Sequence, residues 1–146
     1  MANILVIHGP NLNLLGEREP SIYGEQRLED INRGLVDSAA QHQVTVECFQ
    51  SNHEGNIVDR IQAARGKYDA IIINAAAFTH YSIAIADALR SFNGPIVEVH
   101  ISNIYQREDY RHKSVISAVA TGGIFGLGTQ GYQLALQAVV EMLGMS

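Results

Sequence analysis

Short apolar runs alternate along this chain with segments whose apolar residues recur at the spacing of a helix. The apolar runs predict strands near residues 3–7, 44–49, 70–74, 95–99 and 116–121. The segments between them predict helices near residues 28–41, 56–65, 80–91 and 129–143. Strands that read as continuous apolar runs are typical of parallel sheets covered by helices on both faces. The sequence therefore predicts an α/β fold.

The repeated strand–helix order narrows the topology. Right-handed crossovers and short connections favour a doubly wound parallel sheet with the strand order 2-1-3-4-5. This arrangement is a flavodoxin-like three-layer sandwich with a five-stranded sheet. Residues 1–146 contain no repeat, linker or low-complexity stretch, so we expect a single domain.

Polar side chains follow three of the predicted strands. His8 and Asn11 come after the first strand, Asn74 after the third and His100 after the fourth. In an open α/β sheet, ligands bind outside the carboxyl ends of the strands. These residues, which are far apart in sequence, therefore predict one polar pocket at that edge of the sheet.

The connection over residues 8–27 is long and rich in glycine and proline, without apolar periodicity. Connections longer than about 12–15 residues are uncommon in compact domains and often form lids. With the strand order 2-1-3-4-5, the switch point lies between strands 1 and 3. We therefore expect a lid at about residues 17–25, which carries Arg18 and Tyr23 over the crevice.

Arg18 and Tyr23, with Arg111 from a charged segment, suggest a phenolate base. A phenol has a pKa of about 10, so proton abstraction near neutral pH requires roughly 4 kcal/mol of stabilisation of the phenolate. A guanidinium about 4 Å away, at an effective dielectric near 20, supplies on the order of 4 kcal/mol. Burial of the phenolate opposes this effect, so a second arginine would help. The alternative interpretation is that the tyrosine packs in the loop and the arginines are solvated.

Composition excludes several classes of protein. The 146 residues carry a net charge of −5 with no basic stripe, which argues against nucleic-acid binding. No apolar segment is long enough to span a bilayer, and the first apolar run is too short for a signal peptide. Cys48 is the only cysteine, so no internal disulfide can form. We expect a cytoplasmic protein without a membrane partner.

A metal site remains open at this point. His8, His80 and His100 could face the same pocket, and metal sites of this kind usually add a carboxylate or a fourth histidine. Glu98 could supply that carboxylate, or it could orient His100 instead. A metal-dependent hydrolase is therefore one alternative function.

A non-catalytic binding module for a nucleotide or flavin is the second alternative. Residues 126–131 match the pattern G-x-G-x-x-G, but no third strand follows and no acidic residue stands about 20 positions further on. We therefore interpret this segment as a closely packed turn before the last helix. Lys67 and Lys113 lie outside the apolar setting that imine chemistry requires.

Several separate segments carry a resemblance to one family. They are IHGPNLNLLGER at residues 7–18, Tyr23-Gly24, QSNHEG at 50–55, NAAAFTHYS at 74–82, VEVHISN at 97–103, Arg107-Glu108, Arg111 and GLGTQGY at 126–132. In this order they closely resemble type II 3-dehydroquinate dehydratase, the shikimate-pathway dehydratase, over essentially the whole chain. Ala75 and Tyr81 depart from the Pro and Thr of many members, which should alter loop packing more than chemistry.

The resemblance implies a flavodoxin-like fold, a homododecamer built as a tetramer of trimers, and no metal or organic cofactor. It implies anti elimination of water from 3-dehydroquinate to give 3-dehydroshikimate through an enolate. Asp87 would reach across from a neighbouring subunit to the active site.

For catalysis, the resemblance implies that Tyr23 is the base and that Arg18 stabilises its ionised form. Asn11 would hold the water that stabilises the enolate. His100 would be the general acid for the departing hydroxyl, with Glu98 behind it.

For substrate binding, the resemblance implies that Asn74, Ile101 and Ser102 hold the carboxylate, the last two partly through backbone N–H groups. His80 and Arg111 would hold the ring hydroxyls.

Overall fold

A parallel five-stranded sheet with the order β2-β1-β3-β4-β5 forms the centre of the molecule. The computed structural model describes residues 1–145. The strands are β1 (Ala2–His8), β2 (Val44–Gln50), β3 (Ala70–Asn74), β4 (Ile96–His100) and β5 (Gly122–Phe125). The strand order predicted from the sequence is confirmed.

Four long helices cover the sheet, and one short helix stands in the long connection after β1. They are α1 (Pro20–Tyr23), α2 (Leu28–Gln41), α3 (Glu54–Ala64), α4 (Ile83–Arg90) and α5 (Gln130–Met142). Single 3-10 turns occur at Leu12–Leu14, Ile104–Gln106 and Asp109–Arg111, and a longer 3-10 segment at Ala76–His80. No helix within residues 1–145 combines the length and apolar character that crossing a membrane requires.

The helices form two outer layers because the strand side chains alternate between the two faces of the sheet. Ile4 and Val6 of β1 pack with α2 and α5, whereas Leu5 and Ile7 pack with α3 and α4. All four side chains are fully buried. Each such burial stabilises the fold by about 1.5–3 kcal/mol. This alternation also determines which face receives each polar residue at a strand end.

The prediction of a fifth strand near residues 116–121 was wrong. That segment forms turns, and β5 begins only at Gly122. Ile116 is fully buried in the layer with α3 and α4, while the hydroxyl of Ser117 donates a hydrogen bond to Glu98. A Cβ atom at Gly123 would lie 3.4 Å from the carbonyl oxygen of Glu98. Tertiary packing therefore selects a glycine-rich strand beside β4 over the segment with higher β-propensity.

The helix predicted near residues 80–91 is shorter than expected. The 3-10 segment Ala76–His80 precedes it, and α4 starts at Ile83. The hydroxyl of Ser82 accepts a hydrogen bond of 3.1 Å from the backbone N–H of Ile85, which caps the helix. His80 therefore stands on the connection at the carboxyl edge of the sheet.

The turn at residues 126–131 packs closely, as the sequence interpretation expects. A Cβ atom at Gly131 would lie 3.5 Å from Ile124 and 3.6 Å from Val99. The start of α5 therefore lies against β4 and β5.

Candidate active site

A pocket opens beyond the carboxyl ends of β1, β3 and β4, with an empty volume of about 650 Å³ including its mouth. Nine of the eleven predicted site residues line it, and they are Asn11, Arg18, Tyr23, Asn74, His80, His100, Ile101, Ser102 and Arg111. Glu98 lies directly behind His100, and Asp87 lies away from the pocket. The pocket is therefore where the strand-end argument predicts it.

His100 and Glu98 form a buried pair on β4. Because they are two positions apart on one strand, both side chains point to the same face of the sheet. Nε2 of His100 lies 2.5 Å from Oε2 of Glu98, and the two residues are 7% and 4% exposed. Since Nε2 is engaged with the carboxylate, Nδ1 is the ring nitrogen that remains for a ligand.

Two serine hydroxyls complete the surroundings of the Glu98 carboxylate. Ser114 donates a hydrogen bond of 2.6 Å to Oε2, and Ser117 donates one to Oε1. Burial alone would raise the pKa of Glu98, but the hydrogen bond and charge of His100 and the two serine hydroxyls outweigh it and lower the pKa. The structure therefore favours an ionised Glu98 behind His100.

Tyr23 ends α1 and lies beside two arginines. Its hydroxyl accepts a hydrogen bond of 2.6 Å from Nη1 of Arg107. The guanidinium carbon of Arg107 lies 5.4 Å from the centroid of the tyrosine ring, and that of Arg18 lies 5.6 Å from it. The phenol of Tyr23 therefore lies beside two guanidinium groups at the pocket.

Arg107 is the site residue that the sequence reasoning missed. It lines the pocket and contacts the Tyr23 hydroxyl, whereas the sequence argument paired Tyr23 with Arg18 and Arg111. Arg111 instead directs Nε at both carboxylate oxygens of Glu108, at 3.3 Å each. The available signal was the position of Arg107 in the same charged segment as Arg111, but spacing alone does not say which of the two reaches Tyr23.

Hydrogen bonds hold Asn11 and His80 in place at the pocket. Asn11 adopts a left-handed conformation with φ 68°, and its N–H donates a hydrogen bond of 2.9 Å to the side chain of Asn52. Nδ1 of His80 lies 2.8 Å from the carbonyl oxygen of Lys113, so it carries the proton and leaves Nε2 as an acceptor. Burial lowers the pKa of His80, and the hydrogen bond to Lys113 opposes that effect only in part.

The three histidines of the metal hypothesis do not converge. His8 lies on the same face of the sheet as Ile4 and Val6, toward α2 and α5, and contacts Asn32 and Tyr132. His100 lies on the opposite face. Within residues 1–145, no group of three or more His, Cys, Asp or Glu side chains is placed to hold a metal ion. The expectation that His8 faces the pocket was wrong.

Asp87 lies on α4 and does not contribute to the pocket of its own subunit. Its side chain is 69% exposed, and Oδ1 lies 3.8 Å from Nε of Arg90. An exposed carboxylate on an outer helix is available to another molecule.

The fold and the pocket define a doubly wound α/β protein with acid–base groups at the switch point of its sheet. The sequence profile described as Dehydroquinase class II matches residues 2–140. A protein named 3-dehydroquinate dehydratase from Acaryochloris marina is 56% identical over 141 residues, which cover 97% of this chain and 95% of that protein. One of the same name from Clostridium botulinum is 53% identical over 145 residues, which cover 99% of each.

Solved structures agree with the sequence matches. The crystal structure of a type II dehydroquinase from Butyrivibrio crossotus superposes with a TM-score of 0.93 at 47% identity, covering 94% of this chain and 97% of that one. This chain therefore belongs to the class II dehydroquinase family, a family of shikimate-pathway dehydratases. It is an enzyme of the hydro-lyase class, so the non-catalytic binding module is not favoured.

Proposed function

We propose that this protein is a 3-dehydroquinate dehydratase that eliminates water from 3-dehydroquinate to give 3-dehydroshikimate through an enolate. The observation that carries the proposal is that a Tyr–Arg pair and a His–Glu pair flank one pocket. An elimination of this kind needs a base and an acid held in different environments. Relatives named for this activity support the choice of substrate.

In the first step, the Tyr23 phenolate removes the proton from the carbon next to the ketone. The electron pair of that C–H bond moves toward the carbonyl, whose oxygen becomes an enolate. Arg107 and Arg18 stabilise the phenolate before the step. Asn11 holds the water that donates a hydrogen bond to the enolate oxygen, because preorganised donors are the main source of stabilisation for such an oxyanion.

In the second step, the enolate collapses and the bond between carbon and the departing hydroxyl breaks. His100 donates the proton from Nδ1, so the hydroxyl leaves as water. Glu98 orients the imidazole through Nε2 and balances the charge of the imidazolium. Proton donation by a positioned acid contributes about 10²–10⁴-fold to the rate.

The remaining polar residues of the pocket bind the substrate. Asn74 holds the carboxylate together with Ile101 and Ser102, whose backbone follows β4 directly. His80 accepts a hydrogen bond from a ring hydroxyl at Nε2, and Arg111 contacts a second hydroxyl. Within residues 1–145, the pocket lining includes no lysine, which supports a mechanism without an imine.

The loop at residues 17–25 closes over the bound substrate, which excludes water and brings Tyr23 and Arg18 into place. The assembly is a homododecamer in which Asp87 enters the pocket of a neighbouring subunit. Light scattering should then give about twelve times the chain mass of 15.9 kDa. A monomer with full activity would contradict both the assembly and the role of Asp87. The cytoplasmic location expected from the sequence stays a prediction.

Ultraviolet absorbance tests the reaction. We expect the absorbance of a conjugated enone to increase after the purified protein is mixed with 3-dehydroquinate. Chelator should leave the rate unchanged, and so should treatment with borohydride in the presence of substrate. No signal from folded protein would overturn the substrate, and loss of the signal with either reagent would overturn the cofactor-free or imine-free mechanism.

The variant Tyr23→Phe tests the base. It removes only the ionisable oxygen, so turnover should be lost while substrate binding persists. Tyr81→Phe is the matched control, because Tyr81 is 62% exposed and lies outside the pocket lining. Turnover near that of the wild type in Tyr23→Phe would exclude Tyr23 as the base.

A further inference from the structure

A buried chain of hydrogen bonds holds the carboxamide of Asn74 from behind. Nδ2 of Asn74 donates to the Tyr132 hydroxyl at 3.0 Å, and that hydroxyl lies 3.3 Å from Nδ1 of His8. Nε2 of His8 lies 2.8 Å from Oδ1 of Asn32. His8, Tyr132 and Asn74 are 0%, 1% and 4% exposed. The chain thus connects the ends of β1 and β3 with α2 and α5, outside the pocket lining except at Asn74.

The protons in this chain can be arranged in only one consistent direction. Oδ1 of Asn74 accepts the backbone N–H of Ala76 at 3.1 Å, so the amide nitrogen must be the atom that faces Tyr132. The Tyr132 oxygen accepts this N–H and donates its own proton to Nδ1 of His8. The imidazole then carries its proton on Nε2 and donates it to Asn32.

Both titratable members of the chain stay neutral. Burial lowers the pKa of His8 to about 4, although the hydrogen bond with Asn32 opposes this effect. Burial also raises the pKa of Tyr132. Near neutral pH, His8 therefore remains an acceptor at Nδ1, and the direction of the chain is preserved.

We propose that Tyr132 is a positioning residue for substrate binding, because its hydroxyl, oriented by His8, fixes the Asn74 carboxamide with one N–H directed at the ligand in the pocket. This inference rests on the proposed role of Asn74 in binding the substrate carboxylate. Within residues 1–145, the structure gives the Asn74 amide nitrogen one hydrogen-bond partner, Tyr132, so its second N–H is left for a ligand.

The physical reason lies in the freedom of an asparagine side chain. The terminal torsion of a carboxamide is broad, so its orientation depends on hydrogen bonds. Oδ1 accepts a hydrogen bond from the backbone of Ala76, whereas Tyr132 is the one partner of the nitrogen among residues 1–145. Without the hydroxyl, a buried N–H loses its acceptor and the carboxamide can rotate away from the substrate.

The first test is the variant Tyr132→Phe, which keeps the buried ring and removes only the hydroxyl. Because Asn74 is assigned to uniform binding of the substrate, we expect KM to rise by about tenfold and kcat to change by less than about twofold. The matched control is Tyr68→Phe, which removes a tyrosine hydroxyl at the Glu47–Arg60 cluster beside β2. The control should leave both constants unchanged.

A double-mutant cycle separates positioning from a general loss of packing. Asn74→Ala alone should raise KM, and Tyr132→Phe should raise it no further in that background. Additive effects, or a parallel fall of kcat in Tyr132→Phe with KM unchanged, would overturn the proposal. If wild-type protein does not convert 3-dehydroquinate, the proposed function itself fails. If it does but Asn74→Ala leaves KM unchanged, the proposed function survives and the positioning role is overturned.

Asn32→Ala tests the same chain from its far end if Tyr132→Phe does not fold. Asn32 is only half-buried, and its loss frees the proton on Nε2 of His8 to move to Nδ1. The imidazole could then no longer accept from Tyr132. We expect a smaller rise in KM, about threefold, which disappears in the Asn74→Ala background. An unchanged KM in Asn32→Ala would overturn the proposed direction of the chain.

Discussion

Nη1 of Arg107 donates a hydrogen bond of 2.6 Å to the hydroxyl of Tyr23, although 84 positions separate the two residues. Arg18, which is much closer in sequence, lies 5.6 Å from the centroid of the same ring and makes no hydrogen bond to the hydroxyl. The two arginines therefore act on the phenol in different ways. A donor on the oxygen stabilises the phenolate more strongly than a charge beside the ring.

We predict that Arg107→Ala slows the reaction by on the order of 100-fold, similar to the loss of one preorganised donor to an oxyanion. The basic group would then ionise less readily, so the limb of the pH–rate profile that reports the base should move to higher pH. Arg18→Ala should move the same limb in the same direction by a smaller amount. Steady-state kinetics across the pH range measures both shifts.

Arg33→Ala is the control for this pair, because Arg33 is exposed and lies near Asp30 on α2. It should leave the profile unchanged. An unmoved limb in Arg107→Ala would show that the hydrogen bond to Tyr23 does not assist ionisation.

Glu98→Gln should reduce kcat by up to about 100-fold, because the general acid loses its orienting carboxylate. The amide has the same shape but no charge to balance the His100 imidazolium. The acid form should therefore be lost at lower pH, so the alkaline limb of the pH–rate profile should move to lower pH. The matched control is Glu54→Gln, since Glu54 also accepts a serine hydroxyl, from Ser82 at 2.6 Å, but lies outside the pocket lining. Equal effects of the two substitutions would argue against a specific role for Glu98.

His8 should make the folded state sensitive to acid. Its pKa falls to about 4 in the folded protein, chiefly through burial, against about 6.5 in the unfolded chain. Between pH 6.5 and about pH 4, His8 is protonated in the unfolded chain but stays neutral in the folded protein. Stability is therefore fully present above pH 6.5 and is lost through this window, by up to about 3 kcal/mol.

The variant His8→Gln isolates this contribution, because every other titratable group is common to both proteins. We expect the free energy of unfolding, measured by urea denaturation, to fall more steeply from pH 6.5 to pH 4 in the wild type than in the variant. Parallel curves for the two proteins would contradict the buried neutral state of His8.

Gly9→Ala should destabilise the fold and impair the site together. A Cβ atom at Gly9 would lie 2.5 Å from the backbone carbon and oxygen of Ala75, so the connections after β1 and β3 must separate. Such overpacking costs about 1–3 kcal/mol. The thermal unfolding midpoint and kcat/KM should both fall, since Asn11 stands on one of these connections and Asn74 ends β3 directly before the other.

Gly55→Ala is the matched control, because a Cβ atom at Gly55 meets nothing within 4 Å. Gly55 lies in the first turn of α3, where alanine is the better helix former. We expect unchanged activity and equal or slightly higher thermal stability. A Gly9→Ala variant with the same properties would show that the two connections are not tightly packed.

The sequence by itself determined the sheet and the place of the pocket. Continuous apolar runs such as Ile71–Ile73 require burial on both faces, and this requirement predicts parallel strands between helices without any knowledge of tertiary contacts. The carboxyl ends of those strands meet at one edge, so Asn11, Asn74 and His100 come together for topological reasons.

Only the tertiary structure decided which face each polar side chain occupies and which partner it contacts. His8 and His100 both stand at the end of a strand, yet His8 points to the layer of α2 and α5 and His100 to the other layer. A shift of one residue in a strand reverses its faces, and sequence patterns place strand ends less accurately than that. Sequence patterns also missed β5, whose Gly123 fits against Glu98 despite the low β-propensity of glycine.

For a related reason, the sequence did not predict which arginine contacts Tyr23. Arg107 and Arg111 occupy one charged segment, and their roles depend on how successive 3-10 turns direct each long side chain. Long side chains reach partners through several torsions, so residue type and spacing identify the candidates but not the contact. Packing of the whole chain brings Arg107 to Tyr23 and leaves Arg111 with Glu108.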